Sequence, residues 1–145
     1  GMGPGRDILT RKGGEVISLP PEATVLAAAH LMNERGIGGL VVVEDGTVAG
    51  IFTERDILRR VVAVRRDPST TVLRDVMTSP VVTCRPTMPL EDCAALLTTR
   101  RIRHLPIMDE NGLQGVITIG DVLAHRVSEQ EATIQYMESY IYDVR

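Results

Sequence analysis

The sequence predicts an α+β fold: two β-α-β-β-α units packed with pseudo-twofold symmetry, followed by a C-terminal helical tail. Three observations carry that reading. The stretch Gly50-Ile51-Phe52-Thr53-Glu54-Arg55-Asp56 returns 65 positions later as Gly115-Val116-Ile117-Thr118-Ile119-Gly120-Asp121, and the register holds without a gap from Val16 to about Val61. Each copy follows a short apolar run and a turn dipeptide, Asp45-Gly46 or Asn111-Gly112, as a hairpin requires. A single unit of ~50 residues buries too little apolar surface to be secure alone, so the two units must share a sheet-to-sheet interface with a cleft at its centre.

The elements follow in order. Residues 3–11 contain Asp7-Ile8-Leu9, a short apolar-faced turn of helix, and Lys12-Gly13-Gly14 reads as a flexible loop. Residues 15–19 read as a strand stopped by Pro20-Pro21. Val25, Ala28, Ala29, Leu31 and Met32 recur at helical spacing, with Gly36 as the C-terminal stop. Strands over 40–43 and 48–52 flank Asp45-Gly46, and helix resumes after Thr53 with Ile57, Leu58, Val61 and Val62 on its apolar side. The second unit repeats this with strands over 81–83, 102–108 and 113–117 and helices over 90–100 and from Asp121. The expected domains are 7–64 and 72–127, a polar linker 65–71, and a helical tail 128–145. In that tail Ile134, Met137 and Ile141 share a face, suited either to its own core or to a dimer contact.

Composition narrows the function. With 43% hydrophobic and 24% charged residues the chain is an ordinary globular protein. A net charge of −3 and an aromatic content of 3% offer neither a basic surface nor stacking platforms for nucleic acid. No apolar run approaches the ~20 residues that span a bilayer, and no charged-then-apolar leader opens the chain, so a cytoplasmic location is expected. Cys84 and Cys93, with His30, His104 and His125, show no metal-ligand spacing; both thiols read as small apolar packing groups. No catalytic Ser/His/Asp or Cys/His arrangement is visible either, and the chain is not expected to be an enzyme.

The repeated Thr-x-x-Asp has two physical readings. Thr at an N-cap accepts from a first-turn N–H and the acid three residues on suits the positive helix end. The same geometry can hold phosphate on hydroxyl and amides, and a ribose diol on the carboxylate.

The pattern resembles a tandem of cystathionine β-synthase (CBS) domains, a Bateman module, of the stand-alone bacterial type. The two Gly-x-x-Thr-x-x-Asp stretches carry the likeness, together with Asp75-Val76-Met77-Thr78 and Arg101-Ile102-Arg103-His104-Leu105-Pro106-Ile107; it covers about residues 7–127. The resemblance implies a regulatory module that binds an adenosine-containing ligand (AMP foremost, also ADP, ATP, NAD(H) or S-adenosylmethionine) between the repeats and signals to a partner protein not yet identified. It implies a homodimer, associating head to head or head to tail. Carried over by position, Thr53 and Thr118 meet phosphate, and Asp56 and Asp121 the ribose. The implied first pocket has Val16, Ile17, Ile37, Gly38 and Phe52 as walls, with Lys12, Arg35 and Arg55 for charge. The implied second has Val81, Val82, Ile102, Arg103 and Ile117, with Arg101 and His104 where the first repeat has glycines. Arg is suited to phosphate, and the asymmetry would also suit a dinucleotide laid across both sites. Val41 stands where the second repeat keeps Pro106, a sign of divergence between the copies. The alternative is a module that only assembles, in which both Thr-x-x-Asp pairs are simply caps.

Overall fold

The computed structural model describes residues 3–13, 16–99 and 102–143. Its elements are α1 (Pro4–Lys12), β1 (Ser18–Leu19), α2 (Val25–Arg35), β2 (Gly39–Glu44), β3 (Thr47–Thr53), α3 (Glu54–Asp56) running on as a π-helix (Ile57–Val62), α4 (Leu73–Val76), α5 (Leu90–Thr99), β4 (Leu105–Asp109), β5 (Gly112–Ile117) and α6 (Ile119–Asp143). Helix α2 begins where the Thr24 hydroxyl accepts from Ala27 N–H, and ends at Gly36, left-handed at φ 63°. Asp45 and Gly46 both take positive φ, the geometry that closes β2 onto β3.

The duplication extends to backbone irregularities. β2 and β3 pair antiparallel with a register shift between Val42 and Val43, and β4 and β5 pair antiparallel with a shift between Ile107 and Met108, 65 positions on. β1 pairs parallel with β2 at Leu19↔Val42. Its counterpart in the second repeat shrinks to one bridge, Cys84↔Ile107. The strand expected over 81–83 is therefore absent, because only Cys84 reaches a ladder partner. Likewise the strand expected from Ile102 begins at Leu105.

Two apolar cores stand side by side. One holds Val25, Ala28, Met32, Leu40, Val42, Phe52 and Val61; the other holds Cys84, Leu90, Cys93, Leu97, Leu105, Ile107, Ile117 and Val122. Each is completed by the helix that opens the other repeat. Leu73 and Val76 of α4 close the first core, with Leu73 N–H donating to Ala23 O and Arg74 N–H to Pro21 O. Ile8 of α1 closes the second, with Gly5 N–H donating to Pro86 O and Arg6 pairing with the mostly buried Asp109 at 2.7 Å.

The last helix does not fold back. From Glu129 to Ile141 every residue of α6 is exposed. Among the described residues, no helix is long and apolar enough to cross a membrane.

Candidate functional site

Both Thr-x-x-Asp pairs form helix caps, and their surroundings differ. Thr53 Oγ1 accepts from Asp56 N–H at 3.3 Å while Asp56 Oδ2 accepts from Thr53 N–H at 3.0 Å, a reciprocal capping box. The Thr53 hydroxyl also donates to Asp56 Oδ2, the Thr78 hydroxyl donates to Asp56 Oδ1 at 3.0 Å, and Arg60 Nε lies 3.7 Å from the same oxygen. The Asp56 carboxylate is buried and its lone pairs are engaged within the protein. Asp121 caps in the same way, accepting from Thr118 N–H at 2.9 Å and donating its N–H to Thr118 Oγ1 at 3.2 Å. Its further partner is Lys12 Nζ at 2.9 Å, an amine 42% exposed that also donates to Val116 O. A cation in that position can be exchanged for a ligand hydroxyl at small cost, since a pair this exposed is screened by water.

Beside Thr118 opens a cavity of about 230 Å³. Val16, Ile17, Ile37 and Leu40 give it apolar walls, Gly38, Gly39 and Gly115 let backbone approach, and Lys12, His104 and Gln114 supply polar groups. A side chain at Gly39 would put Cβ 3.0 Å from His104 Cε1 and from Thr53 Cγ2, so the glycine makes room for the imidazole between the repeats. Burial, then the Lys12 and Arg103 charges, hold the His104 pKa below its ordinary value. His104 Nδ1 is buried without a hydrogen-bond partner.

These placements correct the expected grouping. Lys12, Val16, Ile17, Ile37 and Gly38, assigned to Thr53 and Asp56, gather instead around Thr118, because α1 crosses to the second repeat and carries the following chain with it. Arg103 goes the other way: it lies close enough to Arg55 that like-charge repulsion is the main cause lowering the Arg55 pKa. Two wall residues drop out. The Phe52 and Ile117 side chains are fully buried in their cores, where apolar bulk is more stable than at a cleft. Val81 and Val82 are half-buried in an irregular segment, Val82 against the second core, and Ile102 packs on that core too. Arg101 lies outside the described residues.

Sequence reasoning missed Leu9, Gln114 and Val116 in the cavity wall, and Thr78 and Arg60 at Asp56. Thr78 stood within the quoted Asp-Val-Met-Thr stretch, so a hydroxyl near the motif was available to be noticed. Nothing in the pattern singled out Gln114.

Paired β-α-β-β-α repeats, each with a capped Thr-x-x-Asp and with a cleft between them, define a two-repeat ligand-sensing class of module. The CBS domain family model matches residues 6–63 and again 73–128, and the chain belongs to that family. CBS pairs are in general regulatory and bind adenosine-containing ligands. The chain is 38% identical over 118 residues to the CBS domain-containing protein YhcV of Bacillus subtilis, an alignment covering 81% of this chain and 84% of that protein. The crystal structure of the CBS domain NE2398 superposes with a TM-score of 0.78 at 33% identity, over 84% of this chain and 95% of that one. A hexameric CBS-CP12 protein from bloom-forming cyanobacteria gives a TM-score of 0.72 at 32% identity, over 82% of this chain and 69% of that one.

Proposed function

We propose that this chain is a regulatory sensor that binds an adenosine-containing ligand in the cleft beside Thr118 and Asp121 and passes the bound state to a partner protein. The observation that carries the proposal is the contrast between the two carboxylates. Asp56 is buried and engaged on both oxygens, whereas Asp121 is less deeply buried and, outside its own cap, pairs with an exposed amine; Thr118 and Lys12, its two partners, both line the cavity. In this reading the base lies between Ile17, Ile37 and Leu40, and the ribose hydroxyls donate to Asp121 in place of Lys12. Lys12, released, turns with His104 and the Thr118 hydroxyl to phosphate. The cavity is smaller than the ~300–1,000 Å³ of a typical ligand site, which favours one nucleotide over a dinucleotide. AMP is therefore the first ligand to test, ahead of ADP, ATP and NAD(H). The mutually close Arg55 and Arg103 offer a second, cationic place for a phosphate between the repeats, but the motif carboxylate nearest it in sequence, Asp56, is buried and engaged.

The module regulates rather than catalyses, acts in the cytoplasm, and associates as a homodimer. Support for self-association comes from two exposed apolar pairs related by the duplication, Leu58 with Val62 and Leu123 with Val127.

Thermal denaturation with each nucleotide at about millimolar concentration tests the reading, because a ligand bound only to the folded state raises Tm by mass action. AMP should raise Tm in the wild type and fail to do so in Asp121→Ala. No shift with any adenine ligand would leave the assembly-only reading, which the formed caps favour.

A further inference from the structure

The exposed face of α6 carries a repeat that the two cores do not explain. Leu123, Val127, Ile134, Met137 and Ile141 are each more than half exposed. Their spacing, with Gln130 filling the one polar step, is 4, 3, 4, 3 and 4 residues. That is a heptad seam, with Val127, Ile134 and Ile141 at the a positions and Leu123, Gln130 and Met137 at d. The seam runs for about 27 Å along one side of the helix. Val122 and the buried His125 lie on a different side, against the second repeat, so the seam is not used within the chain.

We infer that residues 123–141 form a parallel, in-register two-stranded coiled coil with the same helix of a second copy of this chain. Two features select that occupant and orientation. β-Branched residues at every a position, with Leu123 at the first d, favour two parallel strands. In a parallel pair the flanking g position Arg126 meets the partner's e position Glu131, an attractive contact repeated by symmetry. Antiparallel pairing would instead set Glu131 against the partner's Glu138. A two-fold axis along α6 places second repeat beside second repeat, so the copies associate like end to like end. The inference rests on the self-association proposed above and is independent of nucleotide binding.

Single-cysteine cross-linking of the full chain tests it. The native thiols are buried and do not compete. Val127→Cys and Ile141→Cys lie 14 positions apart, about 21 Å along a helix, and each should form its own disulfide-linked dimer under mild oxidation. Cross-linking at only one of them, or at neither, would overturn the parallel in-register pair. Ile134→Glu should raise the dimer dissociation constant at least about a hundredfold by setting two unpaired charges in the seam. Arg126→Glu should weaken the dimer, and Arg126→Glu with Glu131→Arg should restore it. If Ile134→Glu dimerises as tightly as wild type while Leu58→Glu does not, self-association stands and the coiled coil is refuted.

Discussion

Replacing each motif Asp with Ala in turn separates a structural carboxylate from a ligand-facing one. Asp56→Ala removes the acceptor for Thr53 N–H, for the Thr53 hydroxyl and for the Thr78 hydroxyl, in surroundings that leave Asp56 5% exposed. Loss of a cap costs ~1 kcal/mol, and stranding buried donors adds ~1–3 kcal/mol. The Arg60 contact is long and its arginine half-exposed, so it adds little. The expected loss is about 2–4 kcal/mol. Asp121→Ala removes a cap of the same kind and an exposed ion pair, so its cost should stay near ~1–1.5 kcal/mol. Urea denaturation of both variants at pH 7.5 reads the difference directly. Equal losses, or a larger loss at Asp121, would refute the assignment of Asp56 to structure.

Three further outcomes follow from the geometry. Lys12→Met should leave stability within about 1 kcal/mol, because the Asp121 pair is exposed, yet weaken AMP binding more than adenosine binding in calorimetric titrations. Equal weakening of both would detach Lys12 from the phosphate. His104 has a folded pKa below its unfolded value of ~6.5, so the unfolded chain holds more protons in that window. Its contribution is complete above the unfolded pKa and is lost as pH falls through the folded one. Urea midpoints from pH 7.5 to 5 should therefore fall more steeply in wild type than in His104→Asn, and parallel curves would remove His104 from the account. Burial pushes the Cys84 thiol up to about 12 and raises Cys93 as well, so neither should react with a thiol reagent until the protein unfolds. Labelling of the native protein would contradict the packing.

The repeat made most of the fold legible. The 65-residue offset anticipated both hairpins, and Gly36 and Thr53 marked helix ends through local backbone chemistry. The irregular segment before Cys84 was not legible, since a β-branched run signals a strand only if a neighbour completes the ladder. Nor was the crossing of α1, because Lys12 meets Asp121 across 109 positions and no local pattern reports a contact that distant. Phe52 was misplaced for a related reason. The residue before the motif Thr is as apolar as a cleft wall would be, and only the packed sheet decides that it belongs to the core.

The exchanged opening helices give this chain an order of assembly during synthesis. The first core needs Leu73 and Val76, so it cannot close until the start of the second repeat has left the ribosome. Helix α1 leaves the ribosome before either repeat yet belongs to the core that needs Val122, and it must wait until that residue has emerged. Cutting the gene between the repeats would therefore yield two fragments each lacking its own lid and carrying the other's. Expressed together they can exchange those helices and restore both cores; expressed singly, each must borrow the helix from another copy of itself or remain open.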